Sequence, residues 1–439
     1  MKKTVLSIIL LSLSAGSAFA SGYGVFTQGA AGLGQANAVV AHPVGPSSLY
    51  FNPALLNDIP GRQIEVGTTA IYADRSVDLD SGGSEDSKNN WHFPSNLYYT
   101  HQVNEKLSTG FGLFFPFGLS TEWDDDYEGK YLGTSGEILT LNINPVISYR
   151  LNDKLSIAGG FSIVYLDSTL KNKVNQTATY TIVDLQLSGG VGGALPPLTG
   201  PLKDINQKFN GEGWGAGFNL GVLYKATDYI SIGATYRSQV NIDVEGRATF
   251  NNVDPILAPL FSDTNGDTDI SLPAQATVGV AFTLYDNLII EIGGRWEDWA
   301  STEKLKINLD TPVLGENSST TPRDWNSTWS YNLGGQYQIN ESFNLSAGYL
   351  YGKDAVPGST FDPLIPDSDA HLFTLGGGWN TGAWTINAAF GYEHHEDRKK
   401  DNDLGDPLGS LLVGSPTGTA NGKYKSDIYL SSISVAYRF

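Results

Sequence analysis

The chain has no cysteine and a single methionine among its 439 residues. Disulfide frameworks, dithiol redox chemistry and Cys-ligated zinc are thereby excluded. Basic residues are scarce: 27 Lys and Arg stand against 46 Asp and Glu, for a net charge of −19. Such a chain is poorly matched to nucleic acid, whose phosphates reward basic patches. Long apolar runs are lacking as well. Beyond the amino terminus, no segment has the eighteen or so consecutive apolar residues of a membrane-spanning helix. There is no Gly-x-Ser-x-Gly motif, and no Ser, His and carboxylate set stands out at a hydrolase spacing.

What the sequence does have is alternation. In Tyr429-Leu-Ser-Ser-Ile-Ser-Val-Ala-Tyr-Arg-Phe439, the side chains of Tyr429, Ile433, Val435, Tyr437 and Phe439 share one face. Ser432, Ser434 and Arg438 share the other. The pattern recurs in about fourteen segments, and the sequence offers no helices to cover so many apolar faces. Lipid is the remaining cover, which predicts an all-β, transmembrane antiparallel barrel. The mean hydropathy of −0.18 agrees, because only alternate residues of such strands meet lipid.

The order of the connections sharpens this topology. Strands are expected from 63–74 and 92–102, through 229–250 and 287–309, to 383–396 and 425–439. Short turns fall at Asn104-Glu105, Asn152-Asp153, Thr227-Asp228, Asp286, Asn340-Glu341 and Thr381-Gly382, all residues suited to tight turns. Long polar connections fall near 75–91, 120–136, 171–211, 251–272, 310–323, 353–369 and 397–424. Long and short alternate throughout, as in outer-membrane barrels with short periplasmic turns. Both chain ends then lie on the periplasmic side.

Residues 1–20 carry Lys2 and Lys3, an apolar stretch from Val5 to Leu13 and a small-x-small site at Ala18-Phe19-Ala20. They read as a secretory signal peptide, with the mature chain beginning near Ser21. Residues 21–61 are rich in Gly, Ala and Pro and nearly uncharged, unlike the barrel expected over 62–439. In the strand near 229–250, alternation puts Ile230, Ile232, Ala234, Tyr236, Val240, Ile242 and Val244 on one face. Arg237, Gln239, Asn241, Asp243 and Glu245 occupy the other.

Several stretches together resemble the FadL/TodX family of outer-membrane transporters for long-chain fatty acids and other hydrophobic compounds. They are Ser21-Gly-Tyr-Gly-Val-Phe-Thr-Gln28, Ser48-Leu-Tyr-Phe-Asn-Pro-Ala-Leu55, Phe115-Pro-Phe-Gly-Leu-Ser-Thr-Glu-Trp123, Gly213-Trp-Gly-Ala-Gly-Phe-Asn-Leu220, Thr235-Tyr-Arg-Ser-Gln-Val240, Ile365-Pro-Asp-Ser-Asp369 and the terminal Tyr-Arg-Phe. The resemblance implies a fourteen-stranded barrel whose lumen is plugged by an amino-terminal hatch, residues 21–61. It also implies a hatch motif at Asn52, Pro53 and Ala54, and an inward kink opening the wall at Pro116, Phe117 and Gly118. Pro removes a ladder donor and Gly permits a bend, so the residues suit that kink. The family's basic contacts to a ligand carboxylate map onto Lys171 and Lys173.

The expected function is passive uptake of hydrophobic small molecules, long-chain fatty acids foremost, across the outer membrane of a Gram-negative bacterium. Monoaromatic or alkane uptake is the alternative, with a general porin or an outer-membrane hydrolase behind it. The expected partners are the ligand and outer-membrane lipid and lipopolysaccharide; nucleic acid is not among them. A monomer without cofactor and without enzymatic activity is expected. Asp263, Asn265, Asp267 and Asp269 form a calcium-loop-like spacing that lacks the twelfth-position Glu. Gly29 to Gly34 is glycine-rich but has no phosphate-loop lysine. His394 and His395 are adjacent on a strand and so point to opposite faces. Trp296, Trp299, Trp325 and Trp329 are expected to include interfacial belt residues, with ligand stacking by one of them as the alternative.

Overall fold

The computed structural model describes residues 22–88, 90–406 and 418–439. The expected signal peptide, residues 1–20, and the expected mature start at Ser21 lie outside the described residues. Fourteen antiparallel strands form a closed barrel. They are β1 Arg62–Leu79, β2 Ser95–Gln102, β3 Leu107–Phe114 continued by Gly118–Glu122, β4 Ser135–Asn152, β5 Leu155–Val174, β6 Ile205–Lys225 and β7 Ile230–Arg237 continued by Val240–Asn251. There follow β8 Thr264–Leu272 leading into Gln275–Leu284, β9 Leu288–Glu297 continued by Lys304–Val313, and β10 Glu316–Pro322 leading into Thr328–Gln338. The last four are β11 Phe343–Gly352, β12 Ala370–Asn380, β13 Trp384–Lys400 and β14 Gly422–Arg438. Closure comes from β1 pairing with β14, from Gln63 opposite Arg438 to Leu79 opposite Gly422.

The outer face carries the side chains that a water-soluble sheet would bury. Ile147, Ile292, Leu345 and Leu375 are 56–65% exposed, which is favourable only against acyl chains. Aromatic rings bound this band. Above it, Tyr392 packs on Tyr429 at 5.4 Å and Trp329 stacks on Tyr331. Below it, Trp384 meets Tyr437 at 4.6 Å. The short turns are capped locally. Asn104, Asn152 and Asn340 each accept two backbone N–H groups through Oδ1, and Tyr285-Asp286 turns with both φ values positive.

Three expectations need correcting. The strand near 229–250 does not keep one apolar face. Arg237 pairs with Asn219 of β6 and Asp243 with Trp214; the residue sums of these pairs, 456 and 457, differ by one, the mark of a bulge at Ser238-Gln239. One inserted residue exchanges the faces. Ile232, Ala234 and Tyr236 therefore face lipid, whereas Val240, Ile242 and Val244 are buried in the lumen. The adjoining β8 changes parity in step across Pro273-Ala274. Above the aromatic band the barrel is thus apolar inside, with Asp243, Glu245, Asp267 and Asp269 outside.

The second correction concerns 310–323, which is no long loop. Val313 pairs with Glu316 around a two-residue turn, Leu314-Gly315, with both φ values positive, the geometry that suits the twist of a hairpin. Thirdly, a helix is present: α3, Gln176–Leu187 in the β5–β6 connection, capped by Asn175 Oδ1 accepting from Ala178 N. Tyr180 of this helix packs with Ile205, Leu257 and Phe261, and Leu195 and Leu198 pack against that cluster.

Candidate ligand cavity and the segment beneath it

Residues 22–61 lie inside the barrel. They form two short helices, α1 Ala30–Leu33 and α2 Ser48–Phe51, and a 3-10 turn at Pro53–Asp58. The wall accommodates them by lacking side chains where backbones meet: a Cβ on Gly233 would lie 2.0 Å from Val40 O, and one on Gly334 would lie 2.2 Å from Gln35 O. Asn52 is central. Its Oδ1 accepts from Ala54 N at 3.0 Å, while its Nδ2 donates to Val40 O at 2.8 Å and to Val222 O of β6 at 3.0 Å. Pro53 follows at the first position of the turn, where its missing N–H costs nothing. The Asn52-Pro53-Ala54 stretch therefore ties the segment both to itself and to the wall.

Charged anchors, which sequence reading missed, hold the rest. Fully buried Glu291 of β9 accepts from Val40 N at 2.6 Å, Ala41 N at 3.0 Å and His42 Nδ1 at 2.7 Å. Asp58 pairs with Arg150 and Lys225. Arg237 Nη2 donates to Tyr50 O at 2.7 Å, and its guanidinium stacks on the Tyr50 ring. A lone acidic residue amid apolar ones, such as Glu291 in Leu288-Ile-Ile-Glu-Ile292, was the available signal, because burying a charge on a barrel strand requires partners.

Above the segment lies a cavity of about 250 Å³. Leu119, Leu170, Phe209, Ile270, Leu305 and Leu364 contribute apolar lining. Tyr23 contributes to its floor, packed edge-on against Trp299 at 4.7 Å and tilted against Trp325 at 5.9 Å. Two cationic residues line it. Arg323 is paired with Asp362 at 2.8 Å. Lys304 is exposed and has no ion-pair partner among the described residues.

The stretch Pro116-Phe117-Gly118 breaks β3. Below it, β3 pairs with β2 up to Leu113 opposite Leu97; above it, Gly118–Glu122 pairs with β4 alone. Between these pieces the chain turns inward and bonds to the amino-terminal segment. Val25 N donates to Pro116 O, Gly118 N to Tyr23 O, and Gln28 Nε2 to Phe115 O. The wall interruption and the cavity floor thus share one backbone ladder.

The remaining candidates fall elsewhere. Lys171 is exposed on the face opposite Leu170, and Lys173 is held by Asp125 at 2.8 Å and Asn206 at 2.6 Å. Neither lines the cavity. Asp263 precedes β8, and Asn265, Asp267 and Asp269 alternate along its outer face rather than converging in a loop. No metal-holding group of His, Cys, Asp and Glu occurs among the described residues. His394 bonds Asp427 on the outside and His395 bonds buried Glu393 inside. Of the four tryptophans, Trp296 and Trp329 are paired across β9 and β10 at the upper aromatic band, whereas Trp299 and Trp325 are internal.

Residues 11–439 match the model of the family described as outer membrane protein transport protein (OMPP1/FadL/TodX). The chain belongs to the FadL/TodX family. Among its relatives, outer membrane protein P1 of Haemophilus influenzae is 26% identical over 411 residues, 86% of each chain. The long-chain fatty acid transport protein of Escherichia coli strain K12 is 25% identical over 402 residues, 85% of this chain and 87% of the relative. Among solved structures, a Pseudomonas aeruginosa FadL homologue superposes with a TM-score of 0.80 at 19% identity, covering 95% of this chain and all of that one. The Pseudomonas putida toluene transporter TodX gives 0.71 at 20% identity, covering 97% of this chain and 100% of that one. These structural likenesses establish the fold: the FadL/TodX barrel of an outer-membrane protein, in a family of transport proteins.

Proposed function

We propose that the protein takes up long-chain fatty acids passively across the outer membrane, with residues 21–61 acting as a movable hatch. One observation carries the choice of ligand: Lys304, at the rim of the apolar cavity, has no ion-pair partner among the described residues. A hydrocarbon needs no cation, whereas a fatty-acid head group does. Burying some sixteen carbons at ~0.8 kcal/mol per methylene gives a gross gain on the order of 10 kcal/mol, reduced by the cost of ordering the chain. Micromolar binding remains affordable, and release becomes the difficult step.

Release follows from the shared ladder. Movement of Tyr23–Val25 would open the cavity floor and free Pro116–Gly118 in the same event, passing the ligand sideways between β2 and β3 into the membrane. The chain ends then face the periplasm, lipid and lipopolysaccharide surround a monomeric barrel, and no enzymatic step or cofactor is involved. The test is uptake of labelled fatty acid by cells that have this protein as their sole route, together with mass spectrometry of molecules co-purifying with it. Uptake of toluene or alkane in preference to fatty acid would replace this reading with the hydrocarbon one.

A further inference from the structure

A second interruption of the wall lies between β8 and β9. Pairing runs from Gly266 opposite Leu309 to Thr268 opposite Ile307, then stops. It resumes only at Gln275 opposite Glu297, with Asp298 N donating to Ala274 O just above. Over Asp269–Pro273 on one side and Trp299–Lys306 on the other, the two strands do not pair. Pro273 offers no donor, and the 3-10 turn Trp299–Ser301 carries fully buried Trp299 into the lumen. Each edge keeps its other neighbour, since Val240–Ala248 still pairs with β8 and Lys304–Asn308 with β10.

The cavity reaches through this interruption. Its lining includes consecutive residues on both edges, Asp269 to Ser271 and Ser301 to Leu305. Asp269 to Ser271 and Lys304-Leu305 are consecutive strand residues, which point to opposite faces, so a surface touching all of these reaches both sides of the wall rather than covering only its inside. Polarity is graded along that path, from Asp269, Glu303 and Lys304 at the rim to Ile270 and Leu305 within. The height also fits. Trp296 and Trp329 mark the aromatic band, and the unpaired stretch begins three residues above Trp296. Unpaired backbone groups cannot face hydrocarbon, but at this level water can satisfy them.

We infer that the interruption between β8 and β9 is a side entrance through which a long-chain fatty acid reaches the cavity from the head-group layer, without passing over the extracellular loops. This rests on the fatty-acid reading above. The entrance lies six strands of fourteen away from the break at Pro116–Gly118, so ligand would cross the lumen from one wall to nearly the opposite one.

The chain has no cysteine, so an introduced one is unique. Ser271→Cys and Glu303→Cys place a thiol on either edge; Glu245→Cys places one on the outer face where strands stay paired. Cells carrying each variant are measured for uptake of a fluorescent long-chain fatty acid before labelling, after labelling with a bulky methanethiosulfonate, and after reduction. Labelling at either edge is expected to lower uptake at least fivefold, with recovery on reduction, and labelling at Glu245→Cys to leave it unchanged. Undiminished uptake in both labelled edge variants overturns the entrance while leaving transport intact, and so does a loss that reduction fails to reverse. If the unlabelled natural chain takes up no fatty acid, the transport reading itself falls, and the entrance with it.

Discussion

Replacing Glu291 by alanine should loosen the luminal segment at its most concentrated polar contact. The buried carboxylate takes three hydrogen bonds, from Val40 N, Ala41 N and His42 Nδ1, all at 2.6–3.0 Å. Bonds to a charged group contribute roughly 1.5–3 kcal/mol each. Water entering the lumen would compensate part of this, leaving a local loss of about 4 kcal/mol, or a roughly thousandfold more frequent opening of residues 35–45. Amide hydrogen exchange on the folded protein in detergent reads this directly. Val40 and Ala41 should lose two to three decades of protection while the β1–β14 ladder keeps its own. The exchange should be accompanied by brief conducting events in planar bilayers, more frequent than in the natural chain. Glu291→Gln retains one acceptor oxygen and should fall between the two. Unchanged exchange at Val40 and Ala41 in a correctly folded Glu291→Ala barrel would refute the idea that this carboxylate pins the segment.

Asn52→Ala removes the bonds to Ala54 N, Val40 O and Val222 O, and should cost about 2–3 kcal/mol locally, seen as faster exchange at Ala54 and higher passive permeability. Lys304→Ala should weaken binding of a fatty acid about fivefold, as expected for one exposed charge contact, and leave binding of an uncharged alkane unaltered; equal effects on both would remove Lys304 from head-group recognition. Burial pushes the carboxyl of Asp367, in the β11–β12 loop, up to about 7, although Gly22 N and Ala355 N both donate to it. Its folded state binds a proton that an unfolded loop takes up only near pH 4, so this loop gains stability as pH falls through 7 and loses it as pH rises. Exchange protection at Gly22 and Ala355 should be greater at pH 5.5 than at pH 8, and Asp367→Asn should abolish that dependence.

Much of the barrel was legible because its turns are chemically explicit. Asn104, Asn152, Asn340 and Gly382 punctuate the chain where the strands reverse. The face exchange in β7 was not legible from alternation alone. Ile230 to Tyr236 and Val240 to Val244 keep one parity, and only the partner strand reveals the extra residue. Three polar residues in succession, Arg237-Ser238-Gln239, were the local hint. Lys304, the lysine at the cavity rim, was missed for a related reason. Lys171 and Lys173 follow an apolar strand and look available, but strand parity turns them away from the lumen. Lys304 looked like an ordinary strand residue until the break after Trp299 brought it to the cavity rim. The anchoring of residues 22–61 was partly readable in Asn52-Pro53, whereas the Glu291 contact spans some 250 residues of chain and no local pattern encodes it.

The bulge at Ser238-Gln239 and the matching shift at Pro273-Ala274 have a bearing on how the molecule sits. Beneath them the wall follows the rules of a solute in oil, and above them those of a solute in water. Sinking the protein by a few ångströms would drag Asp243 and Asp269 toward the acyl chains, and raising it would expose Ile232 and Val278 to water. A backbone irregularity thereby acts as a waterline, fixing immersion depth from within the strand rather than through the loops at either end.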